Sequence, residues 1–468
     1  MSDLDPEDWG AFRETAHALL DGCIDQLADA RNHPWIPVPE DVREAYSLSG
    51  SPIGLDAVAS HMQHDVLPYG VGNTHPRFFG WVHGTGLASG LLSEMVAATI
   101  NANCGGRDHG AVYLERAVID WTRKIMGFPE GASGVLVSGT SQATVIAMAA
   151  ARVRALGVES REKGVTNRLT AYASPSSHNC VRKAMELLGL GGQNLRQVDR
   201  WQDLSQQVSE DRAAGAIPFL LIGTAGSVDL GTFDDLDALA DLASSERLWL
   251  HIDGAFGAWL KLANSPWNGL VDGLERADSL ACDFHKWMYI PYDCGLCLIR
   301  DEAEHRAAFA ARPSYLESQV RGVAAGEPWY CDYGIDLSRG NRALKVWAAI
   351  RAYGANNLGS AISDNCARAA QMGSLIEASA NMALAWPVIS NLVVFTAARD
   401  LDPAAQSVLN QRIAQELQIS GEAVFSTTAI EGVTYLRAAI TNHRTTSEDI
   451  DRAINAVVCA AEHLVSEA

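Results

Sequence analysis

Leu248-Trp249-Leu250-His251-Ile252-Asp253-Gly254-Ala255 decides how this chain is read, together with Leu280-Ala281-Cys282-Asp283-Phe284-His285-Lys286-Trp287. Each stretch is a short apolar run that ends in charge. A run without polar alternation is a strand buried on both faces, as in a parallel sheet. Asp253 and Lys286 then stand at or just beyond the carboxyl ends of two strands. Ligands of open α/β sheets bind at those ends.

Outward from this pair the pattern alternates between the two periods. Leu114, Val118, Trp121 and Ile125 mark a helix that Gly127 and Pro129 end. Val135-Leu136-Val137 reads as a strand, Ala143–Ala155 as a helix, Leu169–Ala173 as a strand and Cys180–Leu190 as a helix. Phe219–Ile222 is a strand, Leu236–Ala243 a helix, and Leu296–Ile299 a strand beyond Lys286. Such alternation predicts an α/β fold, a large and mostly parallel sheet with helices on both faces. The C-terminal region differs. Val388–Phe395 and Tyr435–Ile440 read as strands, and Ile450, Ile454, Val457, Ala461 and Leu464 mark a closing helix with Thr446 and Asp449 as its capping box. This is a smaller α+β domain. Residues 7–30 form an amphipathic helix, and three prolines keep the segment His33–Pro39 extended. The expected division is 1–84 as an N-terminal segment on the dimer and substrate side, 85–352 as the large domain and 353–468 as the small one.

The 468 residues carry a formal net charge of −20, which argues against a general affinity for nucleic acid or an anionic membrane. Nine scattered cysteines, an odd number, do not make a disulfide framework and suit a reducing cytoplasm. The start, Met1-Ser2-Asp3-Leu4-Asp5, lacks the basic flank of a signal peptide. The strongest apolar run, Val145–Ala151, falls short of the roughly 18 residues of a spanning helix.

A lysine amine and a carboxylate at neighbouring strand ends suit a cofactor with an aldehyde and a ring nitrogen, pyridoxal phosphate. Ser138-Gly139-Thr140-Ser141, between a strand and a helix, has the hydroxyls and backbone N–H groups of a phosphate seat. His178, in Ser176-Ser177-His178 after the Tyr172-Ala173 strand end, can stack on a ring. Gly223–Ser227 is another strand-end turn. No glycine-rich dinucleotide or P-loop fingerprint occurs. His61 and His64 read as helix surface, and Cys294 and Cys297 lead into a strand on opposite faces, so no metal site is expected.

In this order the motifs resemble those of the pyridoxal-dependent decarboxylases of aromatic amino acids, histidine and glutamate, over nearly the whole chain. The residues that carry the resemblance are His75–Gly80, Ser141–Thr144, His251–Ala255, His285-Lys286-Trp287 and Tyr315-Leu316. It implies the aspartate-aminotransferase-type fold (fold type I) with a seven-stranded-type sheet, and a homodimer with sites at the interface. It implies Lys286 as the Schiff-base lysine, Asp253 on the pyridinium and His178 on the ring. Thr140, Ser141, Ala255 and His285 would lie near the cofactor, and Tyr315 would be a proton donor on a mobile loop. Asp283 and Val228 depart from the family, which carries asparagine and threonine there. An anion beside a phosphate is unfavourable unless it is turned away.

The expected reaction is decarboxylation of an L-amino acid to the amine, with an aromatic substrate favoured by Phe78, Phe79 and Trp81. Arg107, in Asn101–Arg107, or Arg77 offers an alternative, pairing with a side-chain carboxylate of a glutamate- or aspartate-type substrate. An aldehyde synthase and a carbon–carbon lyase on the same fold are further readings. Retention of both Asp253 and Lys286 argues against a scaffold that has lost catalysis.

Overall fold

The computed structural model describes residues 4–311 and 318–466. They group into two compact units, one of residues 89–366 and a discontinuous one of the chain before 89 and after 366.

The first unit is built on a seven-stranded sheet. Its strands are β1 (Ser133–Val137), β2 (Leu169–Ala173), β3 (Leu195–Gln197), β4 (Ile217–Thr224), β5 (Trp249–Asp253), β6 (Ser279–Asp283) and β7 (Gly295–Ile299). Their order across the sheet is β1-β7-β6-β5-β4-β2-β3. Neighbours from β3 to β6 run parallel, and β7 is antiparallel to both β6 and β1. Strands β1, β2, β5, β6 and β7 are buried along their whole length, which is why they read as continuous apolar runs. The helix Thr140–Leu156 packs across β4 to β7 and buries ten of its seventeen residues, so its sequence is apolar almost all round.

One buried ion pair ties this unit together. Glu115, from the helix Gly110–Ile125, and Arg339 are both 2% exposed. Arg339 donates to Glu115 Oε1 at 2.5 Å and Oε2 at 3.0 Å, to Cys104 O at 2.8 Å and to Leu136 O at 2.5 Å. Leu136 N–H donates to Glu115 Oε1 at 3.1 Å. Asn103 Oδ1 accepts from the Gly105 and Arg339 N–H groups at 2.9 and 3.0 Å. The network fastens the loop around Cys104 to β1.

The second unit holds a four-stranded antiparallel sheet of β8 (Ala383–Leu384), β9 (Leu392–Thr396), β10 (Ser426–Ile430) and β11 (Val433–Ala439), in the order β10-β11-β9-β8. The helix Pro403–Ser420 packs on β11 and on the closing helix Ser447–Ser466. Phe79, Phe395, Phe425, Leu436, Ile450 and Val457 meet in its core. Thr446 and Asp449 form a reciprocal cap: Thr446 N–H donates to Asp449 Oδ2 at 2.9 Å and Asp449 N–H to Thr446 Oγ1 at 3.3 Å. The N-terminal helix, Trp9–Ala28, buries none of its residues. Among the described residues no helix is long and apolar enough to cross a membrane.

Candidate active site

The register of the large sheet brings the two diagnostic charges side by side. β5 and β6 pair in parallel with Asp253 opposite Ala281, so Asp253 ends its strand next to the turn that carries Lys286. That turn is held from several sides. Phe284 N–H donates to Cys294 O at 2.9 Å, and the indole of Trp259 donates to Asp283 O at 2.9 Å. Asn365 Oδ1 accepts from Trp287 Nε1 at 3.0 Å and from the Tyr289 hydroxyl at 2.8 Å. A rigid turn of this kind fixes a reactive amine in one place.

Lys286 Nζ lies 2.9 Å from Asp283 Oδ2. Burial alone would push the ammonium below the ordinary lysine range. The Asp283 carboxylate, with Asp253 and Tyr292 acting in the same direction, offsets it, so the net shift is upward. Asp253 is 5% exposed. Its Oδ1 accepts the Ala255 N–H at 3.1 Å, and the Cys180 thiol donates towards Oδ2 at 3.9 Å. Burial raises the Asp253 carboxyl, against the pull of Lys286 and His178. The Cys180 thiol is itself pushed up to about 12, first by burial, so it stays a neutral donor.

His178 caps the helix Asn179–Leu187, its Nδ1 accepting the Cys180 N–H at 3.2 Å. Ligand atoms of His178, Cys180 and Asp253 all lie within 4.8 Å of one another, so the imidazole stands over the same end of β5. His285 Nδ1 accepts the Cys294 N–H at 3.1 Å, its Nε2 is 3.6 Å from Asp283 Oδ2, and its ring lies 4.4 Å from that of Tyr292.

Thr140 opens the helix after β1, and its N–H donates to Asp283 Oδ1 at 2.7 Å. Its Oγ1 is buried and has no hydrogen-bond partner. Ser141 follows, exposed. A Cβ on Gly139 would come 3.4 Å from the His285 ring. An orphaned buried hydroxyl beside a backbone that lacks a side chain is the kind of seat a phosphate oxygen fills. The donor set therefore fits pyridoxal phosphate: an amine for its aldehyde, a carboxylate for its ring nitrogen, and Thr140 Oγ1 for its phosphate.

The structure thus brings together Lys286, Asp253, His178, His285, Ala255 and Thr140 in one unit, with Ser141 beside Thr140. Asp283 faces Lys286 Nζ and the Thr140 N–H. Val228 lies half-buried in the turn after β4. Tyr315 lies outside the described residues.

The residues expected to meet substrate are placed differently. Phe78, Phe79 and Trp81 belong to the discontinuous unit. Phe79 is fully buried against Phe425, with its N–H donating to Val424 O at 2.7 Å, and Phe78 is 4% exposed. Their sequence signal was aromatic surface, but within this unit both are buried side chains, because Arg77 O and Phe79 N–H, on either side of Phe78, bond with the Val424 backbone. Trp81 remains 49% exposed. Arg107 lays its guanidinium over the Trp329 ring at 4.5 Å. His61 and His64 are exposed, as helix surface requires. Cys180 and Asn365 were missed. A buried thiol two residues after a histidine, or an asparagine inside a long helix, carries no pattern that separates it from packing.

Comparison with known proteins agrees with this geometry. A family model described as the pyridoxal-dependent decarboxylase conserved domain matches residues 43–398. The chain is 30% identical over 401 residues to an aromatic-L-amino-acid decarboxylase of Bacillus atrophaeus, covering 83% of this chain and 82% of that protein. It is 28% identical to a phenylacetaldehyde synthase of Arabidopsis thaliana, over 93% of each chain. The crystal structure of Catharanthus roseus tryptophan decarboxylase in complex with L-tryptophan superposes with a TM-score of 0.86 at 24% identity, covering 98% of this chain and 100% of that one. That likeness shows the fold.

Proposed function

The chain belongs to the pyridoxal-dependent decarboxylase family and is an enzyme that uses pyridoxal phosphate; on that premise we propose that it releases CO2 from an aromatic L-amino acid and leaves the amine. The observation that carries the assignment of residues is the meeting of Lys286 with Asp253 at the ends of paired strands. The substrate class rests on the Bacillus atrophaeus relative, whose name gives aromatic L-amino acids as what it decarboxylates.

The cofactor, when bound, supplies an aldehyde and a ring that draws in the electron pair left by CO2. The protein's groups divide the remaining work. Lys286 supplies the amine that holds the aldehyde carbon. Asp253 would keep a proton on the ring nitrogen, because an adjacent carboxylate favours the charged form of its partner. His178, over the same strand end, limits how the ring lies. Thr140 Oγ1 and Ser141 would hold the phosphate, with His285 alongside. Tyr315 supplies the proton to the carbon that has lost CO2.

A homodimer and a cytoplasmic location complete the reading. The dimer is supported by apolar side chains left without cover: Trp9, Phe12 and Ile24 on the N-terminal helix, and Leu92, Met95, Val96 and Ile100 on the helix Ala88–Ile100. An aldehyde synthase is the second reading, favoured by the Arabidopsis thaliana relative.

Release of CO2 from a panel of twenty amino acids, followed by borohydride reduction and peptide mapping, tests the proposal. Tryptophan, tyrosine or phenylalanine should turn over fastest and the pyridoxyl label should fall on Lys286. Faster turnover of glutamate or aspartate would replace the aromatic reading by the acidic one through Arg107. In the same assay Tyr315→Phe should divert product from amine to aldehyde with ammonia and peroxide. Unchanged amine with no aldehyde would remove Tyr315 from the reaction.

A further inference from the structure

Two carboxylates, not one, serve the lysine, and only Asp253 has a partner waiting on the cofactor. Asp283 is 2% exposed at the end of β6. Its backbone is pinned on both sides: its N–H donates to Ala255 O at 2.9 Å and its carbonyl accepts from Trp259 Nε1 at 2.9 Å. Its side chain is pinned too. Oδ1 accepts the Thr140 N–H at 2.7 Å, in a space kept open by glycine. A Cβ on Gly295 would stand 2.7 Å from that oxygen and 2.6 Å from the Gly139 Cα. The remaining oxygen, Oδ2, is thereby aimed at Lys286 Nζ, 2.9 Å away. The N-terminus of the helix Thr140–Leu156 favours an anion at this spot.

We propose that Asp283 is the counter-ion of Lys286, a positioning residue that holds the amine as an ammonium ion in the unloaded site and so governs how readily the lysine takes up the cofactor. The inference rests on the function proposed above only for the identity of that cofactor. Uptake requires the neutral amine. The Nζ–H bond breaks with its electron pair left on nitrogen, the proton passes to solvent, and nitrogen adds to the aldehyde carbon with loss of one water. Every step that lowers the ammonium fraction speeds uptake, and Asp283 opposes them all.

The other groups around Lys286 do not replace it. Asp253 at the end of β5 and Tyr292 before β7 act in the same direction as Asp283 but more weakly. Cys180, on the helix Asn179–Leu187, stays neutral because burial pushes its thiol up to about 12. His285, beside the lysine in sequence, is pushed down by burial and is neutral near pH 7. His178 acts on Asp253.

The test uses the full chain freed of cofactor, with Lys286 acylated by trace acetic anhydride across a pH series and read by peptide mass spectrometry. Asp283→Asn keeps an oxygen to accept the Thr140 N–H and removes only the charge. Loss of a neighbouring opposite charge moves a pKa by about 1–3 units, and each unit is a tenfold change in the neutral fraction. The acylation profile of D283N should therefore shift to lower pH, and at pH 7.5 labelling should rise at least about tenfold. Capture of pyridoxal phosphate, followed by visible absorbance, should accelerate by a similar factor. Superimposable acylation profiles for the two proteins would overturn the inference. If D283N does not fold, the native profile decides: an apparent pKa below that of an ordinary lysine overturns the inference, one above it supports it. If neither protein captures pyridoxal phosphate, the proposed function fails while the acylation profiles still judge Asp283.

Discussion

Removing the Glu115 carboxylate should cost more than any surface change in this protein. In Glu115→Ala the Arg339 guanidinium stays buried and keeps its bonds to Cys104 O and Leu136 O, but it loses both carboxylate oxygens. Leu136 N–H, in the middle of β1, loses its side-chain acceptor as well. Breaking one half of a buried pair leaves an uncompensated charge and costs about 3–5 kcal/mol. The orphaned amide is part of the same loss, and the two do not simply add. Replacing both partners, Glu115→Leu with Arg339→Met, removes the stranded charge and should recover most of the stability. Guanidinium unfolding followed by tryptophan fluorescence measures both. The affinity for pyridoxal phosphate should fall along with stability in the single variant, because β1 leads directly into the Gly139-Thr140 seat. A single variant that loses less than about 1 kcal/mol, or a double variant no better than the single, would show that the pair is not behaving as a dry, mutually dependent unit.

Asp253→Ala should keep the cofactor on Lys286 yet lower CO2 release by about 100-fold or more, the scale of removing one preorganised electrostatic partner; near-native turnover at full occupancy would contradict the role given to Asp253. Acid should weaken the large unit through His251 and His305, which burial pushes down to about 4. Because their folded values are depressed, the stability they contribute is fully present above about pH 6.5, the unfolded value, and is lost as pH falls towards 4; the loss should reach about 3 kcal/mol each. Urea unfolding at pH 7 and pH 5 measures it, and equal stability at the two values would refute it.

The strands that carry the site were legible because burial on both faces leaves an unmistakable record. β1, β2, β4, β5, β6 and β7 are each marked by an apolar run. β3, β8 and β10 were not read, since β3 has only three residues and buries none of them, β8 has only two, and β10 alternates around Thr427 and Thr428. The reversed direction of β7 also escaped. A strand's direction leaves no mark on its own composition, and only the connection Phe284–Cys294, too short for a helical crossover, carries the information. Lys286 and Asp253 stood out because charge at the end of a buried strand has few structural uses. Phe79 misled for the converse reason: an aromatic residue beside a motif looks alike whether it faces a ligand or a core.

Asp253 and Asp283 show why position within a sheet, more than residue type, assigns the chemistry. They end adjacent strands, and both are at most 5% exposed. Asp283 has spent its oxygens on a backbone N–H at 2.7 Å and an ammonium at 2.9 Å. Asp253 has one N–H at 3.1 Å and a thiol at 3.9 Å, so a buried carboxylate is left with bonding capacity in reserve. A folded protein rarely tolerates that shortfall without use for it, because a poorly partnered buried charge is costly. The carboxyl raised by burial is the one short of partners, and a cationic ring nitrogen is what would repair it. The fully satisfied carboxylate can only modulate the lysine it already holds. Two identical side chains on neighbouring strands are thus sorted into a group with bonding capacity in reserve and a lysine-facing group by which donors the surrounding fold places within reach.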